Sequence, residues 1–166
     1  MASTHLILGS NSTDKRRCLS RAVCLLKDRV GKITASSSIY ESEAWGYESQ
    51  HSYLNQVVIL QTELSPELLL STTQEIEKDL GRKSKTVNGI YEDRPIDIDI
   101  LFYNSKIVNS PVLHIPHPRL YERRFVLEPL LEIDAEYQHP VFQKSIYQLY
   151  QECPDKSIAT RLEELY

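Results

Sequence analysis

Arg94-Pro95-Ile96-Asp97-Ile98-Asp99-Ile100-Leu101-Phe102 is the stretch from which the fold can be worked out. From Ile96 to Ile100 apolar and acidic residues alternate strictly, which is typical of a β-strand with two different faces. The isoleucines are expected to face a core, and Asp97 and Asp99 the opposite side. Aspartate is a poor strand former and neighbouring like charges repel, so a divalent cation is the simplest compensation.

The two carboxylates suit magnesium in particular. Residues at i and i+2 of a strand lie about 7 Å apart at Cα, which lets their side chains share one Mg²⁺ or bridge two. Mg²⁺ takes one or two protein carboxylates and completes its shell with water and phosphate oxygens. The alternative is an edge strand whose solvated face carries two acids without a metal.

Composition narrows the class of protein. With 166 residues, 41% of them hydrophobic, one domain over residues 1–166 is expected. A net charge of −4 argues against a nucleic-acid surface, and no apolar run approaches the length of a membrane span. The N-terminus lacks a signal-peptide pattern, and three cysteines without a CxxC pair fit unpaired thiols in a reducing cytoplasm. Cys18 and Cys24 lie within an apolar helical pattern, which favours buried packing.

Hydrophobic periodicity predicts an α+β fold. Strands are expected at 5–9, 33–42, 53–64 and 96–102, with helices near 19–30 and from Ser65-Pro66-Glu67 to about residue 80. This βαββαβ order matches the ferredoxin-like motif, with a mainly antiparallel sheet, helices on one face and the other face free for ligand. A C-terminal extension follows, in which we expect a helix interrupted by Pro129 and two terminal helices, at 144–151 and 157–165. The proline-rich segment 114–118 is predicted to be irregular.

Cationic residues crowd the sequence on both sides of the acid pair. Paired carboxylates that hold Mg²⁺, flanked by Arg and Lys, are the components of a phosphoryl-transfer site. For any single arginine, a solvated surface charge is the simpler interpretation. The residues concerned are Arg82, Lys83, Lys85, Arg94, His117, Arg119, Arg123 and Arg124.

Aromatic and amide side chains suggest a flat ring as the second substrate. Tyr53 and Asn55 share one face of the third strand, where an aromatic can stack on a heterocycle and an amide can bond its edge. Phe125 could close the sandwich from the other side, although each aromatic taken alone is equally explained as core. Gln74 and Glu77 share a face of the second helix.

These residues resemble the family of 6-hydroxymethyl-7,8-dihydropterin pyrophosphokinases of the folate pathway. The resemblance covers roughly residues 6–133 and rests on blocks that occur in the family's order. The blocks are Leu8-Gly9-Ser10-Asn11, Tyr53-Leu54-Asn55, Gln74-Glu75-Ile76-Glu77, Gly81-Arg82, Arg94-Pro95-Ile96-Asp97-Ile98-Asp99-Ile100-Leu101, Ile115-Pro116-His117-Pro118 and Glu128-Pro129-Leu130-Leu131-Glu132-Ile133.

The resemblance implies transfer of pyrophosphate from ATP to the pterin hydroxymethyl group, with release of AMP. It implies that Asp97 and Asp99 bind two Mg²⁺ ions and that Arg82 and Arg94 join them as catalytic residues. The implied pterin-binding residues are Ser42, Trp45, Gly46, Tyr53, Asn55 and Phe125. The implied ATP-binding residues are Gln74, Glu77, Arg82, Tyr91, Arg94, Ile100, Leu113, His117 and Arg123.

Two other functions remain open at this point. A nucleotidyltransferase could use the same carboxylate strand but would release pyrophosphate, and a non-catalytic module could bind a metabolite or a protein on the same sheet. We expect a cytoplasmic monomer whose partners are the small molecules ATP and the pterin, with no nucleic acid and no membrane.

Overall fold

The computed structural model describes residues 1–42, 52–81 and 95–162. Within these ranges the chain forms eight strands and four α-helices, in a mixed α/β arrangement. In chain order the elements are β1 Ala2–Ser10, α1 Lys15–Arg29, β2 Gly31–Ser36, β3 Tyr40–Ser42, β4 Tyr53–Thr62, α2 Pro66–Asp79, β5 Asp97–Tyr103, β6 Val108–Asn109, β7 His114–Ile115, α3 Arg124–Asp134, α4 Ile146–Glu152 and β8 Thr160–Arg161.

The main sheet is antiparallel and has β1 and β4 at its centre. Its strand order is β5-β1-β4-β3-β8, and β2 pairs with the same edge of β4 as β3 does. The predicted second strand is therefore two strands. The break comes at Ser37, whose side-chain oxygen accepts a hydrogen bond from the Val57 amide at 2.9 Å.

One face of the sheet packs on α1 and α2. Leu6 and Leu8 of β1 and Ile98 and Ile100 of β5 are buried there with Leu26 of α1. The predicted strand alternation is confirmed over this part of β5. Burial of these apolar side chains against two amphipathic helices is the main contribution that holds sheet and helices together.

The opposite face is only partly open, which corrects the prediction of helices on one face alone. Val126 and Leu130 of α3 and Leu149 of α4 pack there on Ile7 and Phe102. Helices were predicted in both of these regions of the extension, but the sequence did not indicate which surface they would bury. On β1 this second apolar cluster reaches Ile7, opposite Asp99, whereas Asp97 and Asn55 pair with Gly9, two residues further along. The members of the cluster are Ile7, Val57, Leu101, Phe102, Leu120, Val126, Leu127, Leu130, Ile146, Leu149 and Cys153.

Local signals explain where the second long helix, α2, begins and ends. Ser65 caps α2 by accepting a hydrogen bond from the Leu68 amide, and Pro66 occupies the first helical position, as predicted. Gly81 follows the helix with φ of +105°, a conformation that favours glycine. Gly31 instead begins β2, and a Cβ on it would lie only 1.9 Å from the Gln61 carbonyl oxygen.

Four predictions about the remaining chain were wrong. Segment 160–161 is a strand that pairs with β3, not part of a helix; residues 163–166 lie outside the described ranges. The helix α3 runs through Pro129 without interruption, since its apolar face is buried. Residues 114–115, which were predicted to be irregular, form a short strand. Cys24, which was predicted to be buried, is exposed, because the buried face of α1 is formed by Leu19, Ala22 and Leu26.

No α-helix in the described ranges has both the length and the hydropathy needed to cross a membrane.

Candidate active site

The two aspartates of β5 lie on the face of the sheet opposite α1 and α2. Both are half-buried, while Ile96, Ile98 and Ile100 between and beside them are buried on the other side. In the ladder with β1, Asp97 is opposite Gly9 and Asp99 is opposite Ile7. The acid pair thus projects from an edge strand, next to the central strand of the sheet.

A bulge ends the alternation just after the aspartates. Leu6 pairs with Ile100 but His5 pairs with Phe102, so Leu101 is the extra residue on β5. The Leu101 carbonyl accepts a hydrogen bond from the His117 amide at 3.0 Å. This contact holds the segment that follows β7 beside the end of the aspartate strand.

Asn55, Gly9 and Asp97 form one row across three neighbouring strands. Gly9 is opposite Asn55 on one side and opposite Asp97 on the other. With about 4.8 Å between adjacent strands, the backbone positions of Asn55 and Asp97 lie about 10 Å apart. The amide and the carboxylate therefore face the same side of the sheet, separated by a position that has no side chain.

Gly9 is required here by close approach. An added Cβ would lie 3.1 Å from Asn55 Oδ1 and 3.7 Å from Tyr53 Cδ1. The first distance is shorter than a comfortable carbon–oxygen contact, and the second is ordinary. In the sequence this glycine stands out only as part of a motif block, because its contribution is an absent side chain.

Asn55 is held by a buried hydrogen bond. Its Nδ2 donates to Ser42 Oγ at 2.8 Å, and the two residues are only 3% and 8% exposed. The bond orients the Asn55 amide within the sheet. Tyr53, which is half-buried and pairs with Ser42, lies beside it, so three of the predicted pterin-binding residues are brought together.

Arg123 and Phe125 lie at the start of α3, where Phe125 is partly buried against the second apolar cluster. The Arg123 guanidinium carbon lies 5.8 Å from the centre of the Phe125 ring. Partial burial lowers the pKa of Arg123, with a further lowering by the charge of Arg119, whereas the charge of Asp99 acts in the opposite direction. Arg123 is thus close enough to Asp99 for the two charges to interact, and remains cationic at neutral pH because the reference pKa of arginine is far above 7.

Glu77 contacts the aspartate strand from the helix side. Its carboxylate is buried and accepts a hydrogen bond from the Ile98 amide at 3.0 Å. Ile98 is the residue between the two aspartates, on the strand that forms one edge of the sheet within the described residues. Glu77 therefore supports the backbone of β5, while Gln74, one turn earlier on α2, is exposed.

Of the residues predicted to contact adenine and the triphosphate, Ile100 belongs to β5, and Leu113 and His117 to the segment that follows it. Ile100 and Leu113 are buried in the same apolar cluster, and His117 is half-buried. His117 Nδ1 accepts a hydrogen bond from the Arg119 amide at 3.2 Å, so the neutral ring carries its proton on Nε2. In this tautomer Nε2–H is a hydrogen-bond donor, the type of group that a phosphate oxygen accepts from.

Five predicted site residues fall outside the described ranges. They are Trp45, Gly46, Arg82, Tyr91 and Arg94.

The described donors fit magnesium better than a metal that needs a complete protein shell. Within residues 1–42, 52–81 and 95–162 there is no group of three or more His, Cys, Asp or Glu side chains that could hold a metal. The pair Asp97 and Asp99 offers oxygen ligands only. Two carboxylates with substrate phosphates and water are a usual Mg²⁺ shell, whereas zinc sites in proteins take at least three protein ligands.

Comparison with known proteins assigns the chain to a family. Residues 5–135 match the family model described as 7,8-dihydro-6-hydroxymethylpterin-pyrophosphokinase (HPPK). The chain belongs to this family. The match includes every described candidate residue named above, from Gly9 to Phe125, so the row of Asn55, Gly9 and Asp97 lies within the HPPK region.

Individual relatives agree with the HPPK assignment. The chain is 48% identical over 141 residues to the 2-amino-4-hydroxy-6-hydroxymethyldihydropteridine pyrophosphokinase of Porphyromonas gingivalis, covering 84% of this chain and 95% of that protein. It is 39% identical over 146 residues to the enzyme of the same name from Aquifex aeolicus, covering 88% and 89%. Among solved structures, a triple mutant of Plasmodium falciparum HPPK-DHPS superposes with a TM-score of 0.73 at 19% identity. That match covers 91% of this chain but 43% of the longer Plasmodium chain, and supports the fold alone.

Proposed function

We propose that this chain transfers the pyrophosphoryl group of ATP to the hydroxymethyl group of 6-hydroxymethyl-7,8-dihydropterin, releasing AMP, in folate biosynthesis. The observation that carries the proposal is the row of Asn55, Gly9 and Asp97 within the region that matches the HPPK family. In this row the Asn55 amide can hydrogen-bond the edge of a ring, and the Asp97 carboxylate can hold a metal bound to phosphate. The backbone positions of the two residues lie about 10 Å apart.

The pterin is assigned to the side of the row that carries Asn55. Its ring would stack between Tyr53 and Phe125, and the buried Asn55 amide would bond its edge. Ser42 supports Asn55 through the 2.8 Å hydrogen bond and would complete the pocket. Trp45 and Gly46 are assigned to the same pocket by the family resemblance alone.

ATP is assigned to the side of the row that carries Asp97. His117 Nε2 and the Arg123 guanidinium would contact the triphosphate, and Ile100 and Leu113 would pack near the adenine. Support comes from the proximity of His117 to β5 and from the interaction of Arg123 with Asp99. The other ATP-binding residues proposed from the family are Gln74, Glu77, Arg82, Tyr91 and Arg94.

Asp97 and Asp99 would hold Mg²⁺, and we propose two ions. Bound Mg²⁺ would neutralise the phosphates and favour the developing charge of the transition state. The chain's own contribution is to place both carboxylates on one face of a strand whose backbone Glu77 supports.

The reaction is mainly one of positioning. The hydroxymethyl oxygen attacks the β-phosphorus of ATP, and the bond from that phosphorus to the α-phosphate oxygen breaks, so that AMP leaves. The proton of the hydroxymethyl group passes to solvent. Stacking and the Asn55 hydrogen bond orient the alcohol, and cationic side chains stabilise the charge on the phosphates. Arg82 and Arg94 are proposed to supply that charge together with Arg123.

We assign the core to the ferredoxin-like topology, because β1-α1-β2-β4-α2-β5 follows a βαββαβ order with the sheet order β5-β1-β4-β2. We also propose one pyrophosphokinase domain over residues 1–166, since α3 and α4 pack on this sheet and not beside it. A monomeric state and a cytoplasmic location remain predictions, of which gel filtration would test the first.

A product assay tests the proposed reaction. The purified protein is incubated with ATP, Mg²⁺ and 6-hydroxymethyl-7,8-dihydropterin, and AMP, ADP and pyrophosphate are resolved. Pterin-dependent AMP without free pyrophosphate is expected. ADP would indicate an ordinary kinase, free pyrophosphate a nucleotidyltransferase, and the absence of turnover in a folded sample would contradict the proposal.

The metal assignment is tested with a matched pair of variants. Asp97→Asn should abolish Mg²⁺-dependent AMP formation, because it removes a proposed metal ligand. The variant should still fold, because the substitution removes a charge that repels Asp99. Asp28→Asn, an exposed aspartate on α1, removes the same charge away from the site and should retain full activity. Equal activity in the two variants would show that Asp97 is not a metal ligand.

A further inference from the structure

The carboxylate of Glu132 accepts hydrogen bonds from two residues of the segment between β2 and β4. The Ser38 amide lies 3.1 Å from both carboxylate oxygens, and Ser38 Oγ donates to Oε2 at 3.1 Å. The Tyr40 hydroxyl donates to Oε1 at 2.7 Å. We refer to the contacts among Glu132, Ser38 and Tyr40 as the α3–β3 clamp.

The clamp is a joint at the protein surface, in which an exposed carboxylate meets the half-buried Ser38 and the buried Tyr40. Hydrogen bonds to an ionised acceptor are shorter and stronger than neutral ones. Burial raises the pKa of Tyr40 and the bond to Glu132 raises it further, so the hydroxyl stays protonated and keeps donating. Three donor groups on one carboxylate restrict both the distance and the rotation of α3 relative to β3.

Each end of the clamp leads directly to one side of the candidate pterin pocket. Tyr40 pairs with Asn55 across the sheet, and Ser42, two residues further on β3, accepts the Asn55 hydrogen bond. On α3, Glu132 lies seven residues after Phe125, which is two helical turns and hence the same face of the helix. The clamp therefore joins the strand that supports Asn55 to the helix that carries Phe125.

From this geometry we infer that Glu132 is a positioning residue, which sets the separation between Phe125 and the pair Tyr53 and Asn55 and thereby controls affinity for the pterin. The inference rests on the proposed function for the identity of the ligand. Glu132 itself acts through Tyr40 and Ser38, and the inference requires no contact between it and substrate.

A second tyrosine–carboxylate contact of α3 provides a matched control. Tyr150 of α4 donates to Glu128 Oε1 at 2.9 Å and accepts from Arg124 at 2.7 Å. This second hydroxyl also bonds a carboxylate of α3, but it joins α3 to α4 and not to β3. Tyr40→Phe and Tyr150→Phe each remove one hydroxyl that donates a hydrogen bond to a carboxylate of α3. Only Tyr40→Phe weakens the clamp.

The binding test compares these variants in the full chain. Tyr40→Phe should raise the Kd and KM for 6-hydroxymethyl-7,8-dihydropterin about fivefold, the equivalent of one hydrogen bond, with the KM for ATP unchanged. Glu132→Ala should have a larger effect, and Glu132→Gln, which can still accept a hydrogen bond, should recover part of it. Tyr150→Phe should leave the pterin Kd within twofold of the wild type.

A second readout does not depend on activity. The Asn55 side-chain amide signal in a ¹⁵N–¹H spectrum of the substrate-free protein should shift in Tyr40→Phe and Glu132→Gln, but not in Tyr150→Phe. If the wild type fails to turn over the pterin while Asn55 responds in this way, the proposed substrate is wrong but the positioning role stands. An unshifted Asn55 signal, or equal loss of pterin and ATP affinity in Tyr40→Phe, would overturn the inference.

Discussion

Replacing Gly9 with alanine should selectively weaken binding of the pterin. The new Cβ would lie 3.1 Å from Asn55 Oδ1, so the amide must move by a few tenths of an ångström. Asn55 cannot move without stretching its 2.8 Å bond to Ser42, and both residues are too buried for water to replace that bond. The Tyr53 ring, at 3.7 Å, is in ordinary contact and should stay in place.

The magnitude follows from these contacts. Overpacking a well-filled site typically costs about 1–3 kcal/mol, and losing one neutral hydrogen bond about 1 kcal/mol. If about 1–2 kcal/mol of this falls on the bound state, the pterin Kd rises roughly 5- to 30-fold. The nearest atoms to the added Cβ belong to Asn55, Tyr53 and Leu54, so the Kd for ATP should change little.

The assay is separate titration of the pterin and of ATP into wild type, Gly9→Ala, Asn55→Ala and the double variant. If the clash with Asn55 is the cause, the double variant should bind the pterin no worse than Asn55→Ala, a strongly non-additive result. Ser3→Ala, at the opposite end of β1, is the control for a small change in the same strand. Additive effects in the double variant, or equal weakening of pterin and ATP, would refute this account.

Three further changes have defined outcomes. Glu77→Ala should lower the free energy of unfolding by about 1–3 kcal/mol, because it leaves a buried β5 amide without its acceptor; chemical denaturation measures this, and an unchanged midpoint would show that the bond contributes nothing. Phe125→Ala should weaken pterin binding by about 1 kcal/mol or more through lost stacking and burial, whereas unchanged affinity would identify Phe125 as a packing residue only. Burial lowers the pKa of His139, and its Nδ1 accepts hydrogen bonds from two backbone amides. As the pH falls, His139 is therefore protonated at a higher pH in the unfolded chain than in the folded one. Its contribution to the free energy of unfolding should be fully present above about pH 6.5 and should decrease as the pH falls below that value. The free energy of unfolding, measured with denaturant at pH 7 and 5.5, should change less between the two pH values in His139→Asn, whose side-chain oxygen can still accept a hydrogen bond, than in the wild type. The same change in both proteins would show that His139 does not cause the pH dependence.

The sequence predicts best those elements whose signals are local. Alternation over 96–100 predicted a strand with one buried face, and the isoleucines are buried as expected. Ser65 and Pro66 predicted the start of a helix, and the cap hydrogen bond is present. In each case neighbouring residues carry the whole signal, so no knowledge of distant contacts is needed.

Distant contacts decide the elements that were predicted wrongly. Periodicity suggests a helix near 157–165, yet 160–161 pair with β3, which otherwise would have an unpaired edge. The bulge at Leu101 depends on how β5 aligns with β1 and has no signature in the β5 sequence itself. The placement of α3 and α4 on the second face likewise depends on surfaces far apart in the chain.

The candidate site follows the same division. Residues with obvious chemistry, such as Asp97 and Asn55, could be selected from the sequence, but their alignment depends on the central strand between them. Any residue larger than glycine at position 9 would press on the Asn55 amide. The absence of a side chain there therefore keeps the space between Asn55 and Asp97 open. Glu132 illustrates the converse, because it is an exposed surface residue and yet its contacts join the two elements that carry the pocket. Selecting reactive side chains is therefore not enough to define this site, since its geometry also depends on one missing side chain and one carboxylate without a chemical role.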